Sequence, residues 1–310
     1  MLTWTGRSVD PFPLPTAFAI SGATEATNRV YAADNLAVMA SLLAEFPAKI
    51  DLIYIDPPFN TGADFALHGN LTGHAYSDRH ANGINGYLSL MLPRLQLIHR
   101  LLSPVGTLYV HCDYRASSYL RLLLDEIFGP DNLRAQIIWH YQSGGRQKRC
   151  WSAKHDVIWM YSKSDKFTFN LEAIGIRRGD IKRNHMKRHL DASGKAVYSI
   201  RSNGKTYTYS EDELMTPADV WTDISHLQQK DPERTGYATQ KPEKLLERIV
   251  LASSNADDLV ADFFAGSGTT AAVAHRLGRR FLISDTSPAA IDACTRRLSS
   301  LAAPFALYRP

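Results

Sequence analysis

Cysteine is scarce: Cys112, Cys150 and Cys294 are the only three in 310 residues, and none forms a C-x-x-C pair. That spacing argues against a disulfide framework or a thiolate zinc site and favours a reducing, cytoplasmic compartment. No apolar run approaches the ~20 residues that a membrane span needs. The stretch from Met1 to Pro15 carries Trp4, Arg7, Asp10 and three prolines without a continuous apolar segment, so no signal peptide is expected. Internal repeats and low-complexity tracts are missing too. Secreted, membrane-spanning and zinc-finger classes are thereby disfavoured. What is there is ordinary globular chemistry: 45% hydrophobic and 21% charged residues. At ~150 residues per domain, the length suits two domains, or one with an insertion.

The net charge of +4 hides an asymmetry. Tyr141 to Lys205 holds 15 Lys and Arg against 5 Asp and Glu, a local +10 that leaves −6 on the rest of the chain. Such a block points to a polyanionic partner, and a solvated basic surface is an equal reading of charge alone.

Residues 1–27, rich in Pro, Ser, Thr and Ala, read as a loosely held arm. Short β-branched runs then alternate with amphipathic stretches. Strands are predicted at Val30–Ala32, Ile50–Ile55, Gly106–His111, Ala135–His140, Val157–Tyr161, Leu259–Phe264 and Arg280–Ser284. Helices are predicted at Asn35–Phe46, Leu88–Leu102, Tyr119–Phe128, Pro242–Ser253, Thr269–Leu277 and Pro288–Leu301, with Pro242 near a first helical position. Thr61 to Gly86 reads as a long loop. The alternation implies an α/β fold, a doubly wound, mostly parallel sheet. The basic, turn-rich segment 165–220 breaks the pattern as an insertion between a half at 28–164 and a half at 221–310.

Two turns carry chemistry. Val260 to Ala271 reads as a strand, a tight turn through Gly266, Ser267 and Gly268, and a helix start. Gly266 and Gly268 would let backbone approach a ligand, and first-turn amides favour an anionic group. Asp285 follows Gly266 by 19 residues, at the end of the next predicted strand. There a carboxylate can accept hydrogen bonds from both ribose hydroxyls of an adenosine-containing cofactor. An NAD-dependent dehydrogenase satisfies this pattern as well. A phosphate-binding NTPase loop does not, because no Lys-Ser or Lys-Thr follows the glycines.

The second turn is Asp56-Pro57-Pro58-Phe59, at the end of an apolar strand. Two prolines fix φ and remove two backbone donors. What remains is a stiff group of acceptors beside an aromatic face. A flat heterocycle with an exocyclic amine would donate to Asp56 and the Pro57 carbonyl while stacking on Phe59. An aromatic amine is a poor nucleophile because its lone pair is delocalised into the ring. Two in-plane acceptors favour sp3 character at nitrogen and aim the pair at an electrophile, such as the methyl of S-adenosylmethionine. A strand-terminating turn with a capping Asp is the plainer alternative.

Together, Asn28–Leu36, Asp51–Gly62, Thr239–Leu246 and Phe264–Thr270 closely resemble the amino-methylating DNA methyltransferases of bacteria. The order, with the catalytic turn first, a basic insertion next and the glycine turn last, resembles the family's β group. The resemblance covers roughly residues 28–300 and is weakest across 165–220. It implies a Rossmann-like methyltransferase core with a target-recognition insertion. It implies that Asp56, Pro57, Pro58 and Phe59 act on the target base. Asp34, Asn35, Phe264, Gly266, Ser267, Gly268, Thr269 and Asp285 would hold S-adenosylmethionine together with Asp56, with Thr239 and Lys241 near its methionyl end. Asp56 favours adenine N6, since cytosine-N4 members more often begin this turn with Ser. Phe59 stands where Tyr is more usual, and Ser284 is more polar than the family's common residue.

Double-stranded DNA is then the expected polyanion. Arg146, Lys148, Arg149, Arg177, Arg178, Lys182, Arg183, Lys187 and Arg188 are expected to supply phosphate contacts, some reading base edges. His185 and His189 have the spacing of half a metal site on a helix, and no metal is expected. Trp139, Trp151 and Trp159 are expected in the core. The expected activity is site-specific adenine-N6 methylation of DNA, with cytosine-N4 methylation as the alternative. A dehydrogenase and a catalytically silent DNA-binding module are further readings. The length suits a free-standing enzyme or the modification half of a restriction system, with the nuclease a separate chain. A nucleoid-associated location and a homodimer are compatible.

Overall fold

Strands covered on both faces need apolar side chains in both directions, so they read as nearly unbroken hydrophobic runs. A computed structural model describes residues 2–7, 28–59, 64–66, 74–77, 83–141, 148–180 and 185–309. Among these it gathers such runs into a nine-stranded sheet. The strands are β1 (Arg29–Ala32), β2 (Ile50–Ile55), β3 (Leu102–Cys112), β4 (Leu133–His140), β5 (His155–Ser162), β6 (Val220–Trp221), β7 (Leu259–Asp262), β8 (Arg280–Asp285) and β9 (Ala306–Tyr308). Their spatial order is β6-β4-β5-β3-β2-β7-β8-β1-β9. Only β5 runs antiparallel to its neighbours β3 and β4; the remaining pairs are parallel. The expected doubly wound, mostly parallel sheet is present.

Six helices cover it: α1 (Asn35–Leu42), α2 (Gly83–Leu101), α3 (Ser117–Phe128), α4 (Glu243–Ser253), α5 (Thr269–Arg276) and α6 (Pro288–Ser300). β2 shows how the layers are built. Its side chains alternate: Ile53 and Ile55 enter one core with Met39, Met91 and Leu120 from α1–α3. Leu52 and Tyr54 enter the other with Leu246, Val273 and Leu298 from α4–α6. Truncating a fully buried member such as Ile53 to Ala would cost about 2–5 kcal/mol.

The structure corrects several boundaries. β3 begins at Leu102, directly after α2, where helix was expected. The expected loop from Thr61 to Gly86 contains an antiparallel pair, Asp64–Ala66 with His74–Ser77, and the start of α2. Pro242 is the N-cap of α4, one position before the helix. In the N-terminal arm, Leu2 N donates to Glu126 Oε2 (3.0 Å), Trp4 Nε1 donates to Ser89 Oγ (2.9 Å), and Arg7 pairs with Glu126. Those residues are anchored, not loosely held; 8–27 lie outside the described residues.

Residues 1–168 with 219–310 form one compact unit, and 169–218 form a second. In the second, Lys187–Leu190, Ala196–Ser202 and Lys205–Ser210 make a three-stranded antiparallel sheet. Asn203 and Gly204, both at positive φ (50° and 76°), close its hairpin as a two-residue primed turn requires. His189 lies on a strand, not a helix. Among the described residues no cluster of His, Cys, Asp and Glu could hold a metal, and no helix is long and apolar enough to cross a membrane.

Candidate active site

β2 and β7 are neighbours, with Leu52 opposite Val260 and Ile53 opposite Ala261. Adjacent strands lie ~4.8 Å apart, so the chain leaving β2 at Asp56 emerges beside the chain leaving β7 at Phe263. β8 lies on the far side of β7, and Asp285 at its end pairs with Ala32 of β1, just before Asp34. From β2 the sheet continues to β3 on one side, and from β7 to β8 on the other. Ligands of open α/β sheets bind beyond the strand ends at such a switch point. Here Asp34, Asn35, Asp56, Pro57, Pro58, Phe59, Thr239, Lys241, Phe264, Gly266, Ser267, Thr269 and Asp285 line one cleft of about 690 Å³.

In the proline turn, one oxygen of Asp56, Oδ2, is ion-paired with Lys241 Nζ. The other, Oδ1, is buried with no hydrogen-bond partner among the described residues. A buried acceptor without a donor is costly in a folded chain. Lys241 Nζ also stands 5.3 Å from the centre of the Phe59 ring. The lysine expected near the methionyl end therefore touches the proline turn. Thr239, two residues before it, holds a left-handed φ of 61°, a strained conformation for a β-branched residue.

The glycine turn is donor-rich by contrast. Gly266 N donates to Asp285 Oδ2 (2.9 Å), and Ser287 N donates to Oδ1 of the same carboxylate (2.8 Å). Burial raises the Asp285 pKa above the ordinary carboxylate value, against those backbone donors. Gly266 (φ +50°) borders the cleft as expected. Gly268 (φ +74°) is not among the lining residues; a Cβ there would lie 2.6 Å from Cys294 Sγ of α6. Its lack of a side chain makes room for α6.

Several lining residues escaped sequence reading. Arg94, on α2, donates from Nε to Asn35 Oδ1 (2.6 Å) and from Nη2 to Asp34 Oδ2 (2.9 Å), while Asn35 Nδ2 donates to Phe263 O (2.7 Å). Asp262 accepts from Thr270 Oγ1 (2.6 Å) and Phe264 N (2.9 Å). Burial, with Asp56 and Asp285 nearby, pushes its pKa up to about 7 against those two bonds. Behind the proline turn runs a buried chain. Tyr54 Oη meets His111 Nδ1 (2.8 Å), His111 Nε2 meets Asp156 Oδ2 (3.1 Å), and Tyr141 Oη donates to Asp156 Oδ1 (2.8 Å). Burial opposes ionisation of Asp156, yet His111, Lys241 and Tyr141 hold its pKa below the usual value. The His111 ring lies 5.9 Å from that of Phe59 and 5.6 Å from that of Trp139. His-Asp partners 45 residues apart leave no local signal; only the adjacency of β3 and β5 joins them.

The expected phosphate contacts divide. Lys148, Arg149, Arg177 and Lys187 are exposed. Arg188 pairs with Glu211 at 3.1 Å. Arg178 departs from expectation: it is buried, 3.3 Å from Glu213 and with its guanidinium 4.0 Å over Tyr209. Internal packing engages it. Arg146, Lys182 and Arg183 lie outside the described residues. Trp139 and Trp159 are buried as expected, whereas Trp151 is 98% exposed.

A glycine turn and a proline-locked acceptor turn at one switch point define an α/β group-transfer enzyme for a nucleoside cofactor and a flat amine. Residues 50–296 match the family model described as DNA methylase (N6_N4_Mtase), and the chain belongs to that family. It is similar to the type II methyltransferase M.HpaI of Haemophilus parainfluenzae, at 32% identity over 81% of this chain and 69% of that one. It is likewise similar to the DNA adenine methyltransferase YhdJ of Escherichia coli K12, at 31% identity over 83% and 79%. Among solved structures, the cytosine-N4-specific PvuII DNA methyltransferase shares the fold, with a TM-score of 0.57, 17% identity and 89% of each chain covered. Family membership displaces the dehydrogenase reading of the glycine turn.

Proposed function

We propose that this enzyme is a site-specific, S-adenosylmethionine-dependent methyltransferase acting on the N6 amino group of adenine in double-stranded DNA. The observation that carries the reading is the buried, undonated Asp56 Oδ1, held by two prolines in a cleft shared with the glycine turn. An exocyclic amine has two protons to give, one to this oxygen and one to the Pro57 carbonyl. Accepting both draws the amine out of conjugation, and the Asp56 carboxylate offsets the positive charge that grows on nitrogen. Phe59 supplies a stacking face. Lys241 holds the opposite oxygen of Asp56 in an ion pair.

The donor pocket suits the cofactor. Each Asp285 oxygen keeps a lone pair for a ribose hydroxyl after its backbone bond, and Gly266 presents no Cβ. Asp34, Asn35, Phe264, Ser267, Thr239 and Thr269 complete the wall that would hold it. S-adenosylmethionine, when bound, supplies an electrophilic methyl carbon. The base must leave the duplex to reach Asp56, at a cost of a few kcal/mol. Segment 169–218 is read as the target-recognition unit, with Arg177, Lys187 and Arg188 on phosphates or base edges and Lys148 and Arg149 on phosphates. On this reading the enzyme works at the nucleoid, alongside any cognate endonuclease.

Adenine is favoured over cytosine by Asp56 and by the similarity to a relative named for adenine. The test is transfer of tritium from labelled S-adenosylmethionine into DNA, followed by digestion to nucleosides. Label in N6-methyladenosine that disappears in Asp56→Ala supports the reading. Label in N4-methylcytidine replaces the base and keeps the mechanism, and DNA retention without label makes the chain a silent binding module.

A further inference from the structure

An indole left in water is a cost that the other tryptophans limit: Trp139, Trp159 and Trp221 are buried and Trp4 is half-buried. Trp151 is 98% exposed, beside exposed Lys148 and Arg149. Its position in the fold is specific. β4 delivers Trp139 and Tyr141 to the wall of the cleft, and Tyr141 N donates to Lys154 O at 2.9 Å. The connection between β4 and β5 therefore returns to the sheet at the cleft wall. Trp151 is three residues from Lys154, which keeps its Cα within about 11 Å of that point. Because β5 is antiparallel, its start also adjoins the end of β3, with Cys112 opposite Val157. Just beyond Cys112, Arg115 lines the cleft and lies 5.0 Å over the exposed Tyr114 ring.

We propose that Trp151 is a wedge that enters the DNA base stack where the target adenine leaves it. The inference rests on the proposed DNA methylation. Extruding a base opens a gap between two aromatic neighbours, and an inserted apolar side chain props that gap open. An indole is flat and approaches a purine in area, so it stacks on both neighbouring bases and removes its own apolar surface from water. Lys148 and Arg149 supply the charge that holds the adjoining phosphates. This chemistry selects duplex DNA over a protein partner, which would cover the indole without needing flanking cations.

The test compares full-length wild type, Trp151→Ala and Trp151→Phe on two duplexes carrying the methylated site. In one the target adenine is paired with thymine, and in the other it faces an abasic position. Trp151→Ala should lower kcat/KM on the paired duplex roughly ten- to a hundredfold. On the abasic duplex, where unpairing is already paid, the loss should shrink to roughly twofold. Trp151→Phe should recover most of the paired activity. 2-Aminopurine at the target position should brighten on binding wild type and much less on binding Trp151→Ala. Full activity of Trp151→Ala on the paired duplex overturns the wedge, as does an equal loss on both duplexes. Self-association that depends on Trp151 with no change in transfer also overturns it. Absence of transfer by wild type on either duplex would instead remove the methylation reading itself.

Discussion

Two turns leave neighbouring strands of one sheet and solve opposite problems. After β2, Pro57 and Pro58 strip the backbone of amides and leave an aspartate oxygen without a donor. After β7, Gly266 N donates to Asp285 and the glycine turn opens into α5, whose first-turn N–H groups have no partner within the helix. The first wall only accepts, whereas the second combines an acceptor, Asp285, with the donors at the start of α5. An amine that must become a nucleophile needs the first, and a cofactor carrying hydroxyl and carboxylate groups needs the second. The sheet brings them together because β2 and β7 pair in parallel at the point where strand order diverges.

Removing the acceptor should break the contrast most severely. Asp56→Ala should lower methyl transfer by roughly 10²–10³-fold or more, the scale lost with one preorganised electrostatic partner. Cofactor affinity by calorimetry should change far less. Next comes the bond across the cleft. Lys241→Met leaves the buried Asp56 carboxylate without its counter-ion. Methyl transfer should therefore fall, by less than in Asp56→Ala, and Lys241→Arg should retain most of it.

On the donor wall the two glycines should separate. Gly268→Ala meets Cys294 at 2.6 Å, so thermal unfolding should show a loss of about 1–3 kcal/mol, partly restored by adding Cys294→Ala. Gly266→Ala meets only the Tyr237 ring, at 3.4 Å, but its left-handed φ of +50° adds about 1–2 kcal/mol of backbone strain. It should weaken cofactor binding more than it weakens the fold. The smallest effect concerns Asp262. Its folded pKa of about 7 lies above the ~3.9 of a free aspartate. The fold thus favours the protonated acid, and stability from this group is complete below pH 4 and declines until about pH 7. Asp262→Asn should abolish that decline. The difference in Tm between variant and wild type should widen by a few degrees from pH 4 to pH 7 and then hold constant.

The strands of the main sheet were legible because both faces are covered, and runs such as Ile50–Ile55 announce themselves. The proline and glycine turns were legible because proline and glycine act through the local backbone. The short pair at Asp64–Ala66 and His74–Ser77 was not, since its sequence lacks an apolar alternation. Position in three dimensions was harder still. Gly268 reads as a cofactor glycine until α6 is seen against it. Lys241 and Asp56 are 185 residues apart, and no pattern forecasts their contact. Arg94 sits in the interior of α2, where sequence alone offers only one more helical cation. Trp151 reads as core by residue type, and only the turn of the chain at the cleft wall shows otherwise.

If Asp56 recognises an exocyclic amine, the enzyme should distinguish a target base that carries one from a base that lacks it. Binding of wild type and Asp56→Ala would be compared on duplexes whose target adenine is kept or replaced by purine, which lacks the amine. Wild type should prefer adenine by more than tenfold, roughly the scale of one charge-assisted hydrogen bond, and Asp56→Ala, which keeps only the Pro57 carbonyl, should lose most of that preference. An undiminished preference for adenine in Asp56→Ala would contradict the claim.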